Sequence, residues 1–160
     1  MLTSITHGRT GVAVLRLPKV SDVPSRYVHR AREQFGPHAH SVNAALTFVR
    51  DHLLAWSMRD KIAVAGTVTN VFVENALSYT RSGFDIRLEG TTDEVVVAVS
   101  DASPNFAIRR DRPLGSCPGG LDIVSALCQR WGNAATSTGK TVWARIGAGD
   151  PFGGISGLLQ

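Results

Sequence analysis

Four places in this sequence put a polar or conformationally special residue at the border of an apolar segment. The amide of Asn75 lies beside the apolar stripe of a predicted helix, and the carboxylate of Asp101 ends a long apolar run, where its burial is costly without a partner. Gly119 and Gly120 open another predicted helix, where free N–H groups and the helix dipole can hold an anion. Thr141 begins the last predicted strand. Each residue taken singly also fits an ordinary turn, cap or hairpin role.

The stretch Asp60–Thr80 predicts one amphipathic helix that carries Asn75. At 100° per residue, Asn75 and Val71 fall on the flank of the apolar stripe, whereas Glu74 points toward solvent. The stripe itself consists of Ala65, Val68, Phe72, Ala76 and Tyr79. An amide in that position is either a satisfied polar core residue or a group that faces a ligand. Helix geometry leaves both open.

The elements before and after this helix follow clear patterns. Apolar residues at steps of three and four predict a helix over Ser41–Trp56, with Ser41 as its N-cap. Tyr27–Phe35 fits either a strand or a short helix. Strict alternation over Phe84–Leu88 predicts a half-buried strand, and the wholly apolar Val95–Val99 predicts a central one. Because only a short turn joins these two strands, they should be antiparallel.

The last third of the chain completes the predicted architecture. Three prolines and an arginine-rich middle predict a long irregular loop over 102–118, a length typical of functional lids. Gly120–Trp131 has helical periodicity with Gly132 as its C′ stop, and Thr141–Ile146 alternates as a strand. The chain is therefore expected to be an α/β protein of the α+β two-layer sandwich type. Its mixed, largely antiparallel sheet would be covered on one face by about three helices.

Composition narrows the class of protein. The 160 residues suit one domain over 27–147, with an N-terminal extension, 1–26, and a Gly-rich C-terminal tail, 148–160. For the extension, a short strand at Gly11–Leu17 and partial disorder both stay open. The net charge of +4 is spread too thinly for a nucleic-acid footprint. Two cysteines without metal-like spacing, no membrane-length apolar run and no signal peptide predict a cytoplasmic protein that contacts neither nucleic acid nor membrane.

Four segments together resemble a known family. They are ENALSY (74–79), VAVSDASP (97–104), GGLDIVSALCQRWG (119–132) and GKTVWARI (139–146). Their content and order are similar to the GHKL (Bergerat-fold) histidine-kinase-like ATPases. Within that superfamily the chain looks like the small anti-sigma-factor serine/threonine kinases of the RsbW and SpoIIAB type. The resemblance covers about Phe35 to Ile146.

The resemblance implies a nucleotide site that binds ATP with Mg²⁺. It implies that Asn75 is the Mg²⁺ ligand at the ATP phosphates and that Asp101 accepts a hydrogen bond from the adenine amino group. A carboxylate, which only accepts, suits that donor. Gly119 and Gly120 would border the phosphates, Thr141 would assist at the adenine, and 102–118 would be the ATP lid.

Two departures from the family pattern bear on function. The family helix carries a catalytic glutamate four residues before the asparagine, and here Val71 stands there, so no catalytic residue is assigned. The first glycine of the lid is replaced by Pro118, which has no N–H for a phosphate.

The first functional hypothesis is an ATP-binding transcription regulator that binds a sigma factor, an anti-anti-sigma (STAS) protein or both, with kinase activity weak or lost, and that can form a homodimer. The alternative is a non-catalytic protein-interaction module that keeps the GHKL fold without productive nucleotide binding. A detached histidine-kinase catalytic domain fits less well, because no phosphoacceptor-bearing helical hairpin is recognisable.

Overall fold

A computed structural model describes residues 29–148. The elements, in chain order, are β1 (His29–Phe35), α1 (His40–Ala55), a 3₁₀ turn (Arg59–Lys61), α2 (Ile62–Tyr79), β2 (Phe84–Gly90), β3 (Val95–Asp101), α3 (Gly120–Leu127), β4 (Arg130–Ala135) and β5 (Lys140–Ile146). The predicted strand at Gly11–Leu17 and almost all of the C-terminal tail lie outside the described residues. No helix among residues 29–148 is long and apolar enough to span a lipid bilayer.

The five strands form one sheet in the order β1-β2-β3-β5-β4, and every neighbouring pair is antiparallel. With three helices on this sheet, the predicted two-layer α+β architecture is confirmed. The apolar run over Val95–Val99 does lie in the central strand, β3. The segment Tyr27–Phe35, for which two structures were open, contributes β1.

The helices pack on one face of the sheet, and strand alternation decides which side chains reach them. One core cluster joins helix residues such as Phe72 to Val97, Val99 and Val142 of the sheet. A separate small cluster on the other face contains Val96, Ala98 and Trp143. Within residues 29–148 the sheet therefore has a helix-covered face and a face on which no helix lies, here called the helix-free face, and the parity of a residue along its strand assigns it to one of them.

The third helix is shorter than predicted. It ends at Leu127, because Cys128 already has extended backbone angles (φ −111°, ψ 147°), and the next residues form β4. Trp131 and Gly132 are therefore strand residues, and the prediction of a helix to Trp131 with Gly132 as its C′ stop is wrong. Trp131 still packs against the core, and its indole N–H donates to Ser125 Oγ at 2.7 Å.

Two smaller expectations about helix borders are also wrong. Ala39, not Ser41, is the N-cap of α1, and the Ser41 hydroxyl instead donates to the Gly36 carbonyl oxygen at 2.7 Å. Tyr79 does not complete the apolar stripe of α2, since its side chain is 52% exposed at the end of the helix. There its hydroxyl accepts a hydrogen bond from Arg110 at 3.1 Å.

Candidate functional site

The helix α2 presents Asn75 on the flank that lies next to α3. Asn75 is only partly exposed, and its Oδ1 atom is buried without a hydrogen-bond partner in the part of the chain that the structure describes. A buried acceptor of this kind is costly unless a donor or a cation reaches it. Among the predicted site residues, Asn75 therefore has a buried side-chain acceptor that is left for an external group.

One turn before Asn75, Val71 packs against the first residue of α3. A Cβ atom built on Gly120 would lie 2.8 Å from Val71 Cγ1, closer than real Cβ contacts allow. Gly120 is therefore required by the packing of α2 against α3. The branched side chain of Val71 occupies the space between the two helices, where the resemblance expects an acidic group.

The predicted adenine ligand, Asp101, forms a buried ion pair with Lys140. Lys140 Nζ lies 3.0 Å from Asp101 Oδ1 and 2.9 Å from Oδ2, and the two side chains are 0% and 1% exposed. Oδ1 also accepts the backbone N–H of Ser103 at 2.8 Å. Both oxygens of the carboxylate thus contact the ammonium group of Lys140, a cationic donor from the same chain.

The register of β3 and β5 explains this pairing. Asp101 lies opposite Lys140, and Ser100 lies opposite Thr141. Asp101 and Lys140 therefore share the helix-covered face, whereas Thr141 points to the helix-free face, where its hydroxyl is 2.7 Å from Ser100 Oγ. The structure brings Asp101 together with Lys140 and places the Thr141 side chain on the opposite side of the sheet.

The residue before Lys140, Gly139, is required by the packing of the β4–β5 turn. A Cβ atom on Gly139 would run into the backbone of Asp101 and Ala102, so only glycine allows the β4–β5 turn to approach the end of β3. The glycine of the Gly-Lys-Thr segment is thus needed for the close backbone approach that sets the Asp101–Lys140 register.

The N-terminus of α3 is satisfied by its own carboxylate. Asp122 Oδ2 accepts the N–H of Gly119 at 2.8 Å, as the acidic residue of a capping box does, and Oδ1 accepts Arg109 Nε at 2.8 Å. The Gly119 N–H first, and then the Arg109 guanidinium, hold the pKa of Asp122 below its usual range. The position at which a phosphate would meet Gly119 is therefore already occupied by an anion of the chain.

The lid predicted at 102–118 is irregular, as expected, and a residue that the sequence did not single out anchors its first half. Asn133 on β4 is fully buried; its Oδ1 accepts the Ala107 N–H and its Nδ2 donates to the Ala107 carbonyl, both at 2.9 Å. The side-chain amide of Asn133 thus pairs with both backbone groups of Ala107, as the backbone of a neighbouring strand would. Beyond this anchor the loop is exposed, with Ile108 58% and Leu114 fully accessible.

Of three residues that the resemblance assigns to a magnesium nucleotide, Asn75 fits its role, whereas Asp101 and Gly119 do not. The free Oδ1 of Asn75 has the chemistry of a Mg²⁺ ligand. The Asp101 carboxylate and the Gly119 N–H, in contrast, are both engaged by groups of the chain. Residues 29–148 contain no cluster of three histidine, cysteine or acidic side chains that could hold a metal ion by themselves.

The chain matches no protein-family model and no curated protein.

Proposed function

We propose that this protein is a regulator that acts by binding a protein partner, with a nucleotide site closed by the chain's own side chains. The partner is a sigma factor or an anti-anti-sigma STAS protein, because the sequence resembles the anti-sigma class. The protein transfers no phosphoryl group, because the chemistry of the site does not support that reaction.

The observation that carries the proposal is the buried pair between Asp101 and Lys140. An adenine amino group would have to replace a cationic donor that already contacts both carboxylate oxygens, in a site where both side chains are almost completely buried. Separating such a pair is expensive, because it leaves two buried charges uncompensated. Val71 adds to this argument, because it packs on Gly120 and supplies no general base.

A second candidate function, ATP–Mg²⁺ binding without turnover, is favoured by one specific observation. Asn75 Oδ1 is buried and has no partner among the described residues, which suits a metal ligand. In that case Lys140 would have to leave Asp101 when nucleotide binds, and Asp122 would have to release the Gly119 N–H.

Thermal unfolding with and without ATP–Mg²⁺ distinguishes the two functions. A ligand present at about 100 times its dissociation constant stabilises the folded state by about 2.7 kcal/mol. In a domain of this size that corresponds to a rise of roughly 5–10 °C in Tm. The closed site predicts a Tm change no larger than that caused by inorganic triphosphate with Mg²⁺. A rise of several degrees that Asp101→Asn abolishes would establish the second function instead.

Partner binding gives an independent test of the regulatory part. A STAS-domain protein that binds this chain should bind equally well with ATP, with ADP or without nucleotide. Its serine residues should stay unmodified when the mixture is incubated with γ-labelled ATP. Labelling of the partner would refute the proposal that phosphoryl transfer is lost.

A further inference from the structure

The helix-free face of the sheet carries an apolar patch centred on Trp143 of β5. Strand pairing places Ala98 of β3 on one side of Trp143 and Gly132 of β4 on the other, so the three residues form one row across the sheet. Side chains of the same parity in the neighbouring rows extend this apolar surface. We call it the Trp143 patch; it comprises Val96, Ala98, Gly132, Ala134 and Trp143.

Every residue of the Trp143 patch is buried, although no helix among residues 29–148 lies on this face. The indole-bearing residue itself is only 6% exposed. Its cross-strand neighbours, Ala98 and Gly132, have the two smallest side chains and cannot enclose a ring of that size. An antiparallel sheet that leaves one face in water normally carries polar residues on that face. The apolar composition and the burial of the patch therefore indicate that a further part of the protein covers it.

Two buried donors show what chemistry the cover must have. The Nε1 atom of Trp143 and the Nε atom of Arg145, alternate residues on the same face of β5, are buried without an acceptor among residues 29–148. Both groups can only donate, and a buried tryptophan N–H usually has a hydrogen-bond partner. The carbonyl groups of an extended backbone supply such acceptors, and its side chains supply apolar contacts. The cover is thus best explained as an extended, apolar stretch of polypeptide.

We propose that the segment Gly11–Leu17 of the same chain, GVAVLRL, lies in extended form across the Trp143 patch. Successive side chains of an extended segment point to opposite sides, so one side of this segment is wholly aliphatic and the other carries its single charge. The aliphatic side meets the patch, and the charge stays in solvent. The two sides are Ala13, Leu15 and Leu17, and Val12, Val14 and Arg16.

The length of chain before β1 allows this arrangement. His29 begins β1 in the same row of the sheet as Ile146 of β5, three strands away. Trp143 lies three residues further along β5, so the start of β1 and Trp143 are roughly 17 Å apart. The 11 residues from 18 to 28 can span up to about 36 Å. The connection therefore reaches the patch without strain.

The C-terminal tail, 148–160, fits the patch less well. Four glycines interrupt it, and its longest apolar run is Leu158-Leu159. The N-terminal segment instead has four successive apolar residues, Val12–Leu15, and then Leu17 after one charge. Because burial of apolar area drives such packing, the N-terminal segment is the better occupant.

NMR spectroscopy of the full chain tests this packing without nucleotide or partner, so its result is independent of the proposed function. Trp143→Phe identifies the indole signals of Trp143 by their loss. In the wild type, nuclear Overhauser contacts should join the Trp143 ring to the methyl groups of Leu15 and Leu17. The indole N–H of Trp143 should exchange with D₂O at least about 100-fold more slowly than that of free tryptophan, because exchange requires the cover to open.

Leu15→Asp and Val14→Asp form a matched pair, because they make similar changes on opposite sides of the segment. Leu15→Asp places a charge against the Trp143 patch; it should abolish these contacts and speed indole exchange at least about 10-fold, while the far-UV circular dichroism spectrum stays that of the folded chain. Val14→Asp should leave contacts and exchange unchanged. Absence of the Leu15 contacts in the wild type would overturn the proposal, as would contacts from Phe152 or Ile155 of the tail in their place. Equal effects of the two variants on indole exchange would also overturn it.

Discussion

Replacing Lys140 with methionine isolates the interaction on which the proposed closure of the site depends. Methionine keeps much of the apolar stem of lysine, so the volume change is small, and the ammonium group alone is removed. Asp101 Oδ2 then loses the only donor that it has among residues 29–148, whereas Oδ1 keeps the N–H of Ser103. The variant therefore contains a buried carboxylate of which one oxygen keeps a hydrogen-bond donor and the other has lost its donor.

The size of the effect follows from the burial of the pair. Removing one member of a buried ion pair typically costs about 3–5 kcal/mol, and the retained Ser103 hydrogen bond places Lys140→Met near the lower end, about 3 kcal/mol. Asp101→Asn should cost a similar amount, because it leaves the ammonium of Lys140 buried. The double variant should cost at least about 2 kcal/mol less than the two single changes added together, since it leaves neither charge behind.

Urea unfolding at neutral pH, followed by far-UV circular dichroism, measures these differences. With a slope of about 2 kcal/mol per molar urea, Lys140→Met should lower the midpoint by about 1.5 M. A midpoint within about 0.3 M of wild type, together with additive effects in the double variant, would refute the reasoning. It would mean that Lys140 lies in solvent and leaves Asp101 free for a ligand.

Three further predictions concern the surroundings of the site. Gly120→Ala should destabilise the fold by about 1–3 kcal/mol through overpacking, and Val71→Ala in the same chain should recover most of that loss in urea unfolding. Asn133→Ala leaves two buried backbone groups of the 102–118 loop unpaired. It should cost roughly 2–5 kcal/mol and speed amide exchange in that loop, whereas unchanged exchange would contradict the anchoring role. Burial raises the pKa of the Cys128 thiol to about 12. At pH 8 a disulfide reagent should therefore label Cys128 about 1,000-fold more slowly than an ordinary exposed thiol, and the exposed Cys117 should react first. Equal labelling rates of the two cysteines would contradict the burial of Cys128.

Patterns of local periodicity were enough for most of the fold. The alternation in Phe84–Leu88, the apolar run in Val95–Val99 and the stripe of α2 each predict an element that the structure contains. These signals succeed because burial on one face acts on consecutive residues of the same element. They fail at β4, where Trp131 continues the helical spacing of Val124 and Leu127 although the chain has already turned to pair with β5.

Long-range contacts were the part of the site that the sequence did not reveal. Whether Lys140 or Thr141 faces Asp101 depends on strand register, and a shift of one residue exchanges the two faces of the sheet. Asn133 bonds to a residue 26 positions away, and no local pattern marks it. The sequence did single out Val71, but only the packing of α2 against α3 shows that its side chain meets Gly120.

Isothermal titration of ATP–Mg²⁺ into the wild-type protein, beside Asp101→Asn, tests most directly the proposal that Lys140 closes Asp101 to a nucleotide. The Asp101–Lys140 pair predicts no heat of binding beyond that of dilution in either protein, up to millimolar nucleotide. Saturable binding in the wild type that is lost in Asp101→Asn would contradict this account. Asp101 would then recognise adenine, and Lys140 would be a displaceable occupant of the site.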